Sequence, residues 1–232
     1  MSSLDRPVVL LDAGGTLISI DYARLGDAAA PYGPCPADRE LDEAEARARA
    51  WADAGVRARL EMRQLWDGYF GRILERVGLP ECHLAACLDE LWRMHHEKGL
   101  WRRPIPGTRQ VLERLHAAGK RLAVVSNAEG QVERDLEEAG FGDLLETVVD
   151  SRVVGVSKPD PRIFGIALER LGASAEDAVY VGDVPAYDVE GARAAGMPAI
   201  LLDPHAIHDG VQAVRIRGLD ELPGLVGVPA QP

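Results

Sequence analysis

Apolar residues fall into two textures along the chain. Pro7-Val8-Val9-Leu10-Leu11 is a continuous apolar run closed by Asp12. With no polar position inside it, the run predicts a strand buried on both faces. From about Asp21 to Arg103 the β-branched runs disappear and apolar residues recur at steps of three and four. Leu41, Ala44, Ala48 and Trp51 form one such stripe; Met62, Trp66, Tyr69, Ile73 and Val77 a second; Leu84, Leu88, Leu91 and His95 a third. This is the period of amphipathic helices, punctuated by Pro80 at a first turn and Gly99 beyond an end. After Pro104 the texture alternates. Strands are expected at 122–125, 145–149, 178–181 and 199–202, with one more at 213–216 in a tail rich in Pro and Gly. Helices carrying Val111, Leu112 and Leu115, then Leu136, then Ile163, Ala167, Leu168 and Leu171, and a last one to Ala195, separate them.

Apolar strands joined by amphipathic helices make a doubly wound parallel α/β sheet covered on both faces. The first strand belongs with the later repeats, so 1–20 and 104–232 form one core domain, and 21–103 is an inserted α-helical cap domain. At 232 residues such a core is well within reach. The formal net charge of −11 argues against a nucleic-acid surface. A small anionic substrate remains compatible, because local cations can reverse the field inside one pocket. No apolar run reaches transmembrane length, and residues 1–6 lack the pattern of an export signal. Cys35, Cys82 and Cys87 are odd in number and stand at no metal-ligand spacing, which predicts reduced thiols and a cytoplasmic protein.

The polar residues able to carry chemistry stand where strands stop. Asp12-Ala13-Gly14-Gly15-Thr16 follows the first strand and Ser126-Asn127 the second. Gly182-Asp183 follows the strand at 178–181, with Asp188 five residues on, and Lys158-Pro159-Asp160-Pro161 precedes a helix. The carboxyl edge of an open α/β sheet is where ligands bind. Each segment also has a plainer use. Thr16 suits a helix cap, Asp160 an N-cap, Asp183 and Asp188 the positive end of a helix, and Ser126-Asn127 an ordinary turn. Taken in order, D-x-x-x-T-L, S-N, K-P-D-P and G-D-x-x-x-x-D resemble the motifs of the haloacid dehalogenase-like hydrolase superfamily, over about two thirds of the chain. The helical insert is similar to that superfamily's first class of cap.

The resemblance implies a Mg²⁺-dependent phosphatase-type hydrolase acting on a small phosphorylated metabolite. Asp12 would be the nucleophile, forming an aspartyl-phosphate. Asp12, the Gly14 carbonyl and Asp183 would hold Mg²⁺, an ion that takes hard oxygen ligands, with Asp188 in support. Lys158 would face Asp12 and the phosphoryl oxygens. Thr16, Ser126, Asn127 and the amides around Gly14 and Gly15 would contact the phosphoryl group. One position departs from the pattern. Such phosphatases usually carry a second Asp two residues after the nucleophile, as acid for the leaving alkoxide and base for water, and this chain has Gly14 there. General acid–base help is worth about 10²–10⁴-fold, roughly 3–5 kcal/mol. Alkyl phosphates are therefore expected to turn over poorly, and acyl or aryl phosphates to suffer less. His95 and His96 are candidate substitute acids.

The competing reading is a member that binds a phosphorylated ligand or partner with little turnover. Two specialised relatives fit less well. Dehalogenases use no metal and generally lack the acid found here as Asp183. Phosphonoacetaldehyde hydrolases need a cap lysine, and none lies between Asp21 and Glu97. The remaining polar features have bland expectations. Trp51, Trp66, Trp92 and Trp101 pack the helical bundle, with one facing the cleft as a candidate to sort substrates. Asp203, His205 and His208 lie in a solvated loop, His95 and His96 form a helix surface pair, and Arg47, Arg49, Arg57 and Arg59 make a solvent face.

Overall fold

The computed structural model describes residues 4–33 and 37–229, so Cys35 lies outside the described residues. The chain divides into two compact units: one contains the chain up to Ser19 together with Trp101 onward, the other is Ile20–Leu100.

The first unit is α/β. Its strands are β1 (Val8–Leu11), β2 (Ile18–Ile20, whose last residue opens the second unit), β3 (Trp101–Pro104), β4 (Arg121–Ser126), β5 (Thr147–Asp150), β6 (Ala178–Gly182), β7 (Ala199–Leu202) and β8 (Val214–Ile216). Six form one sheet in the order β5-β4-β1-β6-β7-β8, every pair parallel. β2 and β3 form a separate two-stranded sheet. The alternation of side chains along each strand builds two cores. Val9, Leu11, Val124 and Val181 face Leu112, Leu115 and Leu136 on one side. Leu10, Val125 and Tyr180 face Phe164, Ala167 and Val189 on the other. Because both faces are covered by helices, the inner strands β1, β4 and β7 have no polar positions inside them, whereas the edge strand β8 exposes Arg215.

The strand order reverses direction at β1, which has β4 on one side and β6 on the other. Register sets Leu11 beside Val124 and beside Val181. Asp12 and Asp183, just past their strands, and Ser126, the last residue of β4, therefore come to one stretch of the carboxyl edge, the switch point of a doubly wound sheet. Pro161–Leu171, the helix behind Lys158, starts with Asp160 as N-cap accepting from the Arg162 N–H and ends at Gly172 in the left-handed region, as the sequence predicts. The strand expected at 145–149 begins only at Thr147, because Gly142–Leu144 forms a 3₁₀ turn first.

The second unit is four helices, Tyr22–Ala29, Asp38–Arg57, Met62–Arg76 and Glu81–Glu97. Leu25, Leu41, Ala44, Phe70, Ile73, Leu74 and Leu91 are buried in it. Three expectations change here. Trp101 is not a helix residue: the last helix stops at Glu97, Lys98 turns extended, and the aromatic residue starts β3 in the other unit, as suits its β-propensity. Arg49 does not belong to a solvent face. Its guanidinium turns inward to Glu45 at 2.7 Å, with side-chain exposures of 14% and 1%, and the Tyr22 and Tyr69 hydroxyls donate to the same carboxylate. His95 is no surface residue either; it is buried, lies against Trp66 and accepts the Leu100 N–H on Nδ1.

Candidate active site

Lys158 organises the strand-end cluster. Its ammonium donates to Asp12 Oδ1 at 2.6 Å, to Asp188 Oδ1 at 2.8 Å and to the Tyr180 hydroxyl at 2.9 Å. An ammonium has three protons, and these partners account for all of them. Tyr180 in turn lies within donor distance of the Val125 carbonyl, 3.0 Å, and Asp188 Oδ1, 3.1 Å, while Asp188 Oδ2 accepts the Val184 N–H. Asp12, Lys158, Asp183 and Asp188 are 7%, 4%, 4% and 1% exposed. Burial pushes the Asp12 carboxyl up, Lys158 pulls it back and Asp188 pushes it up again, leaving it raised to about 6. Burial favours loss of the Lys158 proton, but Asp12 and Asp188 outweigh it and hold its pKa above the usual lysine range. The Tyr180 phenol, buried and beside Asp188 and Asp12, is held well above its own range and acts as a neutral hydroxyl.

Asp12, Asp183 and Asp188 each offer a carboxylate oxygen within 4.8 Å of the others. Two glycines make that approach possible. A Cβ on Gly15, whose φ is +82°, would lie 2.2 Å from Asp183 Oδ2, and one on Gly182 would lie 2.3 Å from Asp188 Cγ. Only hydrogen fits at either position. Three carboxylates against one ammonium leave two negative charges in excess, in a buried place where such an excess is costly. A hard divalent cation answers both the oxygen donor set and the charge, so these residues fit Mg²⁺.

Other expected residues are placed differently from one another. Thr16 is wholly buried, and its Oγ1 has no hydrogen-bond partner among the described residues. Ser126 is buried at the end of β4. The carboxamide of Asn127 clasps the main chain of Lys158, accepting its N–H at 2.7 Å and donating to its carbonyl at 3.0 Å. The Gly15 N–H, expected among the phosphoryl donors, is committed to the Ile18 carbonyl at 2.7 Å by the tight turn after β1, so the contribution of Gly15 is steric. Gly14 lies against Trp101: a Cβ there would be 3.1 Å from Trp101 Cδ1. Tyr180 is the residue of this cluster that sequence reasoning missed. The signal for Tyr180 was its strand parity, which sets it on the same sheet face as Val125, two residues before the Gly182 that ends β6.

Asp203, expected in a solvated loop, is buried along with His208. Its carboxylate accepts the Ile207 and His208 N–H groups and so closes a turn. Among the described residues, the grouping of acids, histidines and cysteines able to hold a metal is the one at the strand ends.

The switch point of the parallel sheet thus gathers a buried aspartate, two further carboxylates and a lysine, a candidate α/β enzyme centre. A family model described as haloacid dehalogenase-like hydrolase matches residues 7–196. The chain belongs to that family. It is 32% identical over 183 residues to a glyceraldehyde 3-phosphate phosphatase from Methanopyrus kandleri, covering 71% of this chain and 77% of that one. It is 30% identical over 158 residues to the mouse haloacid dehalogenase-like hydrolase domain-containing protein 3; the match covers 68% of this chain but only 62% of the relative's length. Among solved structures, it is similar to a phosphatase of the same family from Thermococcus onnurineus, with a TM-score of 0.64, 25% identity, and 95% and 98% of the two chains covered.

Proposed function

We propose that the chain is a Mg²⁺-dependent phosphatase-type hydrolase that releases phosphate from a small phosphorylated metabolite through an aspartyl-phosphate on Asp12. The observation that carries the reading is the bridge of Lys158 between Asp12 and Asp188 beside Asp183, in a cluster with an excess of negative charge. A phosphoryl dianion could not approach three carboxylates without a cation, and the relatives named as phosphatases support phosphorus as the atom attacked. Asp12, the Gly14 carbonyl and Asp183 would hold the Mg²⁺. Bound there, the ion would neutralise charge and polarise the phosphoryl oxygens.

The chain's own groups do the rest. Lys158 holds Asp12 Oδ1, which aims the carboxylate and leaves its other oxygen to attack in line. The buried hydroxyls of Thr16 and Ser126 donate to the phosphoryl oxygens as charge shifts onto them. Asp188 and Asn127 act one step back: the first holds the ammonium, the second the main chain that carries it. Gly14 supplies no proton to the leaving oxygen and takes none from water, so turnover falls on leaving groups that depart as anions. The helical unit serves as the cap that admits substrate. Small-molecule chemistry in the cytoplasm, without nucleic acid, is part of the same proposal, and the net charge of −11 speaks against a nucleic-acid partner. No helix among the described residues is long and apolar enough to cross a membrane.

Acetyl phosphate and para-nitrophenyl phosphate, assayed with and without Mg²⁺, test the reading. Metal-dependent phosphate release that Asp12→Asn abolishes is the expected result. No release from either compound would favour a phospho-ligand binder, and metal-free halide release from 2-chloropropionate a dehalogenase.

A further inference from the structure

Gly14 and Trp101 share one small volume. By chain length alone residue 14 stands within about 7 Å of the Asp12 Cα, and its neighbour Gly15 would touch Asp183 with a Cβ. The loop therefore lines the acid cluster, and on Gly14 the surface next to that loop is an indole. A Cβ on Gly14 would meet Trp101 Cδ1 at 3.1 Å, Cγ at 3.3 Å and Nε1 at 3.5 Å. All three are neighbouring atoms at the Cδ1 corner of the pyrrole ring, so that corner comes up against the glycine. Trp101 is held there from behind, as the first residue of β3, half-buried and packed against the sheet core that contains Leu11, Ala13 and Leu17. Arg102, the next residue, is tied to Glu138. Both Gly14 and Trp101 belong to the α/β unit. The indole is a placed aromatic surface beside the nucleophile loop, and the missing side chain at position 14 is what gives it room.

We propose that Trp101 is a specificity-determining residue, whose ring selects phosphate compounds with a flat, aromatic group next to the phosphoryl oxygen. The inference rests on the phosphatase reading above and extends it to a substrate class. Two physical effects point the same way. An aromatic leaving group stacks on the indole, a contact that adds to simple burial. An aryl oxide is also a far weaker base than an alkoxide, so it leaves without the proton that Gly14 cannot give. A saturated alkyl phosphate gains neither. The same ring crowds position 14: a side chain there would press on the indole, which would have to give way by a few tenths of an ångström.

Binding, not turnover, separates this proposal from the one beneath it. Phenylphosphonate and methylphosphonate carry the same phosphorus head on an aromatic and a small alkyl group, and neither is cleaved. Their affinities for the full chain in the presence of Mg²⁺ are measured by titration calorimetry for wild type, Trp101→Leu and Trp101→Phe. The wild type is expected to bind phenylphosphonate about tenfold more tightly. Trp101→Leu is expected to remove the preference, and Trp101→Phe, with its smaller ring, to keep part of it. Should the leucine variant not fold, the phenylalanine variant decides by a reduced preference against an unchanged one. Equal binding of the two compounds to wild type, or a preference that the substitutions leave unchanged, overturns the role of Trp101 and leaves the phosphatase reading standing. Failure of both compounds to bind wild type overturns that reading and this inference together.

Discussion

The molecule contains two buried carboxylate clusters that look alike and behave oppositely. In the helical unit Glu45 accepts from Arg49 and from the Tyr22 and Tyr69 hydroxyls. In the α/β unit Asp12 and Asp188 accept from Lys158, which Tyr180 flanks. Each sets a buried carboxylate against a cation and tyrosine hydroxyls. Burial pushes Glu45 up, but Arg49 and the two phenols outweigh it, and its pKa lies below the usual carboxylate range. Asp12, by contrast, is raised to about 6 by burial and Asp188 against the pull of Lys158. The Glu45 cluster is balanced, with one negative charge against one positive. The Asp12 cluster, counted with Asp183, has three against one. Burial of charge does not by itself mark a functional centre; an imbalance that a ligand can relieve does.

Four substitutions test that contrast. The largest effect is expected from Asp12→Asn, which removes the nucleophile and lowers Mg²⁺-dependent turnover of acetyl phosphate about 10⁴-fold or more, while the fold, followed by circular dichroism, stays. Lys158→Met leaves Asp12 and Asp188 buried without their counter-ion. It should destabilise the α/β unit by about 3–5 kcal/mol in denaturant titration and abolish turnover. Glu45→Gln should cost about 2 kcal/mol at neutral pH, and its pH dependence tests the balanced cluster. Because the folded value of Glu45 is lowered from 4.5, the stability it contributes is present above that value and is lost as pH falls through the lower folded one. The wild type should therefore lose stability on the acid side, and the glutamine variant should lose less. Tyr180→Phe is the mildest. One Lys158 proton loses its acceptor, at about 1 kcal/mol of stability, and the less well-aimed ammonium should lower kcat about tenfold with little change in KM.

The α/β layout was legible because parallel strands covered on both faces appear as unbroken apolar runs, and because each run ends in the residues that meet at the sheet edge. Asp12 and Asp183 could be singled out for that reason, because they interrupt the pattern at its ends, and Lys158 and Asp188 by the short motifs they stand in. Tyr180 was hidden because it sits inside a run, where a tyrosine looks like one more core residue until strand register sets its hydroxyl under Lys158. Arg49 was hidden among alternating acids and bases, since helical spacing alone does not distinguish an arginine that turns inward from one that turns out. Trp101 lay close to a helical block whose apolar period had already ended. The loss of an acid at Gly14 could be read directly; the indole that fills its space could not, because the two residues are brought together by folding across the whole inserted segment.

Asn127 gives the lysine an unusual stiffness. A lysine is a long, many-jointed side chain whose charged tip ordinarily wanders, yet Asn127 pins the backbone of Lys158 through both its N–H and its carbonyl, and three acceptors hold the far end. Anchored at root and tip, the chain acts as a strut between the rim of β4 and the first-strand aspartate. The freedom given up to align it is surrendered once, when the protein folds, and not again each time a ligand arrives.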